Sequence, residues 1–211
     1  SVLLWSLAAV VAVFEVAMPW IMYALAPGFS DEPEKFRLAI LLTRITFPYL
    51  LLVSLVTLLA GVMNALGKFW HAAATPIILN LSLIGAVLGL SPLMPSPGHA
   101  LAWGVFGAGV LQISWMAFHM LRAGVRLQMV RPTIGGDIKL LLKRMAPVAV
   151  GAGIYQINLL IDTIIASLLP EGSISYLFYA DRVNQLPLGV IGVAVGTALL
   201  PLMSRQLRAG E

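Results

Sequence analysis

Cysteine is absent from the 211 residues, and only 10% of them are charged. The first absence excludes a disulfide framework and any thiolate metal site, and it leaves the redox compartment open. The second excludes an ordinary soluble domain, in which about 25% of residues carry charge. No Gly-rich phosphate loop, HExxH pair, paired metal-binding acids or nucleophile elbow occurs in the chain, so an enzyme is not expected. Ser1 runs straight into an apolar stretch without a methionine, a basic n-region or a small-residue cleavage site. The chain is therefore expected to be a piece of a longer protein, with further helices beyond either end.

What is present is apolar. Hydrophobic residues make up 60% of the sequence, and the mean hydropathy is +0.95. The apolar runs are long enough to cross a hydrocarbon core of roughly 30 Å as helices and too long for membrane strands. The fold class expected is all-α, a polytopic membrane protein with spans near residues 2–26, 38–66, 72–90, 100–121, 145–169 and 174–204. Turn chemistry separates them: Pro27-Gly28 with Asp31, Glu32 and Glu34; Gly67-Lys68; Ser91-Pro92 to Pro97-Gly98; and Pro170-Glu171-Gly172.

The pI near 9.7 would suggest nucleic acid in a soluble protein, but here the cations follow the loops. Arg122, Arg126, Arg131, Lys139, Lys143 and Arg144 fall in one long connection, on the same side as Lys68, Arg205 and Arg208. The opposite loops hold Lys35 and Arg37 against three acids. The positive-inside rule therefore places residues 122–144 and both chain ends in the cytoplasm, and no nucleic-acid partner is expected. Residues 137–144, which alternate basic and aliphatic side chains, either lie along the interface or, more simply, begin the fifth span with snorkelling cations.

The few charges inside spans are the candidate site. A charge at depth in a bilayer costs on the order of 3 kcal/mol, so such residues usually face a protein interior or a water-filled path. Asp162 in the fifth span and the adjacent Asp181 and Arg182 in the sixth lie at similar distances from the outer face, which makes Asp162 a candidate partner for Arg182. Gly151, Tyr155, Asn158 and Asp162 share one face of their helix; Ser175, Arg182, Gln185, Gly189, Gly192 and Gly196 share a face of the next. Pro187, just beyond the charged pair, and Pro48, just after Arg44, are expected to kink their helices and serve as hinges. Arg44 is close enough to the outer end to snorkel, and Glu15 has no cationic neighbour in sequence, so it lines a cavity or packs as a neutral acid. A static ion-pair network that fixes helix packing remains the plain alternative for Asp162, Asp181 and Arg182.

Asn64, Asn80, Gln112 and Gln156 are adequately explained by interhelical hydrogen bonds. His71, His99 and His119 lie near helix ends and make no metal set; the five tryptophans mostly read as interfacial anchors. A buried arginine with polar partners suits an anionic head group, which guanidinium can hold through two parallel hydrogen bonds.

Four passages resemble the MurJ (MviN) family of lipid II flippases, within the multidrug/oligosaccharidyl-lipid/polysaccharide exporter superfamily. They are Ala26-Pro-Gly-Phe29; Arg44-Ile-Thr-Phe-Pro-Tyr49; Asn64-Ala65 continuing to Pro76 and Asn80; and Tyr179-Ala-Asp-Arg-Val-Asn-Gln-Leu-Pro187 with Gly189-Val-Ile-Gly-Val-Ala-Val-Gly-Thr197. The resemblance implies a larger two-lobed bundle around a cationic cavity, alternating between inward-open and outward-open states in a bacterial inner membrane. Residues 1–122 would end the first lobe, 123–144 would be the linker, and 145–211 would begin the second. Of the site residues the resemblance carries over Arg182 alone, which would bind the diphosphate of lipid II or of another undecaprenyl-pyrophosphate glycan. Asp181, Asp162, Asn158, Gln185 and Arg44 are expected beside it from their own positions in the spans, and Glu15 and Asp162 match no motif of the family. No cofactor is implied, and no coupling ion is indicated. A cation-coupled exporter of the same superfamily, using Glu15 or Asp162, and a non-transporting scaffold are the alternative readings.

Overall fold

The computed structural model describes residues 2–125, 136–185 and 187, excepting the side chains of 136–139, 141 and 142. Among them there is no strand, and five helical segments are long and apolar enough to cross a membrane. In chain order the helices are α1 (Val2–Leu25), α2 (Pro33–Thr46), α3 (Tyr49–Ala65), α4 (Phe69–Ala73), α5 (Thr75–Gly89), α6 (Pro97–Arg122) and α7 (Gly136–Ser167). A further helix, α8, covers 173–185. The sixth expected span thus begins as a helix, while Gly189, Gly192 and Gly196 and the surroundings of the Pro187 kink lie outside the described residues.

Prolines set the starts and the breaks. Pro33 occupies the first turn of α2, where a missing N–H costs nothing, and so starts the second span five residues before Leu38. Pro48 divides that span into α2 and α3, as its position predicts. Pro76 similarly parts α4 from α5. Its ring nitrogen cannot donate to the carbonyl of Ala72, and the Thr75 hydroxyl does so instead at 2.8 Å. The break thus leaves that carbonyl satisfied. Residues 137–144 form the opening turns of α7 rather than a separate interfacial segment.

Helix α6 is the hub, packing on α5, α3 and α2. Small residues let it approach. A Cβ added at Gly104 would stand 2.6 Å from the Ala86 methyl of α5, and one at Gly109 would stand 2.8 Å from Tyr49 and Leu52 of α3. Methionines fill the space between: Met63 of α3 and Met116 and Met120 of α6 are sealed with Val56 and Leu59, while Met18 and Met22 of α1 close on Phe36 of α2. Gln112, 3% exposed, ties three helices together. It accepts from the Tyr49 hydroxyl at 3.2 Å and donates to the Thr75 carbonyl at 2.8 Å. That is the interhelical role its isolated position suggested. The outward surface is apolar, with Trp20, Leu88 and Val148 each about 70% exposed, as a lipid-facing bundle requires.

Candidate functional site

Helices α7 and α8 form an antiparallel hairpin whose turn is closed by Gly172 at φ +93°, a conformation open to glycine. Along α7, Gly151, Tyr155 and Asn158 line one open groove with Ile154, Ile157 and Ile161. Asp162 belongs to a different groove, formed with Ile165, Ala166 and Leu169 and, from α8, Ser173, Tyr176, Leu177 and Ala180. The expected continuous polar face is therefore divided, because α8 packs on the last turns of α7.

The same register keeps Asp162 from Arg182. In a hairpin turning near residue 171, Asp162 comes level with Leu177 to Ala180, and Arg182 lies a further half-turn along. Among the described residues no ion pair joins them. Arg182 instead builds its surroundings from its own helix. Its Nη1 donates to Gln185 Oε1 at 3.4 Å, Gln185 Nε2 donates to Asp181 Oδ2 at 2.6 Å, and the guanidinium lies 5.0 Å from the centre of the Phe178 ring. Gln185 thus links the acid to the cation, through positions three and four apart that share a helix face. Arg182 is exposed, while Asp181 and Gln185 are half-buried. Among the described residues, one side of the guanidinium is held and the rest has no acceptor.

The second charged group joins residues that the sequence left apart. Arg44 does not snorkel away from α1. Its Nε donates to the Glu15 carbonyl oxygen at 3.2 Å and lies 3.9 Å from Glu15 Oε2. The early start of α2 explains the meeting: Glu15 stands ten residues before Leu25, and Arg44 stands eleven after Pro33, so both lie about 16 Å from the ends that the two helices share. Matched depth on consecutive antiparallel helices was the available signal, and it was hidden by placing the start of the second span at Leu38.

A third junction ties the first bundle to the hairpin. The N–H of Gly28, in the short 3₁₀ turn Pro27–Phe29 after α1, donates to Ser167 Oγ at 3.3 Å. A Cβ at Gly28 would overlap the Ser167 carbonyl group and lie 3.0 Å from the Leu168 Cα. Only a glycine fits against this stretch of backbone. Beside it opens a cleft of about 410 Å³ rimmed by Asp31, Glu32, Lys35 and Glu171. Among the described residues no three His, Cys, Asp or Glu side chains converge as a metal set.

Among the described residues the helices thus form an apolar bundle in which Arg44 and Arg182 are partly paired and no three metal-ligating side chains converge. Against known families, the profile of "Lipid II flippase MurJ" matches residues 1–211. The chain belongs to the MurJ family. A probable lipid II flippase MurJ of Rhizobium meliloti is 44% identical over 202 residues, covering 93% of this chain and 37% of that protein. The lipid II flippase MurJ of Burkholderia cenocepacia is 36% identical over 214 residues, covering 97% of this chain and 40% of the relative. A probable lipid II flippase MurJ of Haemophilus influenzae is 40% identical over 178 residues. The chain spans about two fifths of the length of the first two relatives. Family membership and the apolar helices together make it a multi-pass membrane protein.

Proposed function

We propose that the protein containing this chain moves lipid II from the cytoplasmic to the outer leaflet of a bacterial inner membrane by alternating access, binding and releasing its cargo without altering it. Residues 1–122 end one lobe, 123–144 form a cytoplasmic linker, and 145–211 begin the other; both ends of the chain lie in the cytoplasm. Arg182 engages the pyrophosphate, with Asp181 and Gln185 fixing its approach. Arg44 supplies a second cation, Asn158 and Asp162 add polar contacts from α7, and Pro48 and Pro187 are the hinges. Another undecaprenyl-pyrophosphate glycan would meet the same chemistry, and the MurJ relatives favour lipid II.

The observation that carries this reading is the half-held guanidinium of Arg182, whose Nη1 and ring face are engaged while the side chain stays exposed. Burying a pyrophosphate without cations to replace its water is prohibitive. The test is Arg182→Ala in the full-length protein, reading surface-exposed lipid II in cells depleted of their own flippase, with abundance checked by blot. Loss of exposure at normal abundance is the expected result. Retained exposure would reduce Arg182 to packing, and failure of the unaltered protein would overturn the lipid II assignment.

A further inference from the structure

The Glu15–Arg44 contact is built differently from a salt bridge that only fastens two helices. A fastening pair would use the fork of the guanidinium, with two parallel bonds to both carboxylate oxygens, since buried charges are stabilised only when their remaining hydrogen-bonding capacity is used. Here the contact runs through the side of the guanidinium: Nε meets the backbone oxygen of Glu15 at 3.2 Å and one carboxylate oxygen at 3.9 Å. Among the described residues the Nη hydrogens have no protein acceptor, and Arg44 keeps 43% of its side chain accessible. Glu15 Oε1 is buried and, among the described residues, has no hydrogen-bond partner. Glu15 thus holds the edge of the arginine nearest its stem and leaves the fork open at membrane depth.

We propose that Glu15 is the positioning residue for Arg44, fixing the guanidinium across α1 and α2 so that its Nη fork is presented to a pyrophosphate oxygen of the cargo. The proposal rests on the reading that Arg44 helps bind the lipid pyrophosphate. Glu15 does not touch the ligand. It acts by removing the rotational freedom that a long side chain otherwise loses on binding, a loss that lowers affinity. The stacked rings of Phe14 and Phe47, centroids 5.3 Å apart, flank the pair and bring the same turns of α1 and α2 together.

The experiment measures binding of undecaprenyl pyrophosphate to the full-length protein in nanodiscs, comparing the unaltered protein with Glu15→Ala, Glu15→Gln, Arg44→Ala and the double variant Glu15→Ala/Arg44→Ala. Melting in the same nanodiscs identifies the variants that remain folded. Glu15→Ala leaves the backbone acceptor of Arg44 Nε in place and removes only the carboxylate that faces it. It is therefore expected to weaken binding about threefold, and Glu15→Gln, which keeps a side-chain oxygen beside Nε, to restore most of it. The double variant is expected to bind like Arg44→Ala alone, because positioning has no object once Arg44 is gone. A purely structural role would lower the melting temperature of Glu15→Ala without this non-additivity. Binding that is unchanged or tightened in Glu15→Ala would overturn the proposal, as would an equal further loss in the Arg44→Ala background. Arg44→Ala without effect would instead remove Arg44 from the site, a separate failure that leaves Arg182 to be judged alone.

Discussion

Replacing Gly28 by alanine should part the Pro27–Phe29 turn from the α7–α8 hairpin. The atoms that an alanine methyl would meet are the carbonyl group of Ser167 and the Cα of Leu168, all backbone, so no side-chain rotation can relieve the overlap. Restoring ordinary contact near 3.5 Å requires the two segments to separate by roughly 1–2 Å, which also breaks the Gly28 N–H bond to Ser167 Oγ. Overpacking typically costs about 1–3 kcal/mol, and the lost hydrogen bond about 0.5–1.5 kcal/mol. A total of about 2–4 kcal/mol shifts the joined arrangement by roughly 30- to 1000-fold against any arrangement in which the turn is free. Spin labels at Asp31 and Glu171, both exposed and on opposite rims of the same cleft, report the separation directly in the full-length protein. The expected result for Gly28→Ala is a longer, broader distance distribution. Gly61→Ala, where an added methyl meets nothing within 4 Å, should leave the distribution unchanged. If Gly28→Ala kept the parent distribution and the parent melting temperature, the close approach described here would be refuted.

Two further expectations concern the bundle around α6. Gly104→Ala should destabilise the α5–α6 pair by about 1–3 kcal/mol through its collision with Ala86, and Ala86→Gly should rescue it; thermal melting of the double variant no better than Gly104→Ala would contradict the contact. Gln112→Leu removes two hydrogen bonds linking α3, α5 and α6, and at about 0.6 kcal/mol per bond inside a membrane the loss should be roughly 1 kcal/mol, detectable as a lower melting temperature; an unchanged value would show the network to be energetically idle.

The spans were legible because lipid forces long apolar helices, and proline reports its own breaks: Pro48 and Pro76 lack the N–H that a continuous helix uses. The isolated glutamine at 112 was legible for the same reason, since a polar amide within a bundle must find partners. Pairings between helices were not. They depend on register, and a five-residue difference in where α2 starts decides whether Arg44 reaches Glu15 or the membrane surface. Asp162 was assigned to Arg182 by counting from each helix end, whereas the hairpin turn sets the two out of step by about half a helical turn. The bridge through Gln185 could have been found, because Asp181, Arg182 and Gln185 stand at the spacings that share a helix face.

The bond between Gly28 and Ser167 joins residues 139 positions apart. A ribosome adding about 5–20 residues per second needs roughly 7–28 s to make the intervening chain. During that interval the Pro27–Phe29 turn exists without Ser167, so the Gly28 N–H cannot make this bond. The four earlier spans therefore have to insert and pack by their own methionine and small-residue contacts, and the turn becomes a socket waiting for the hairpin. Within this chain the order is built in: the first four spans form the surface on which the tip of α7 is later seated.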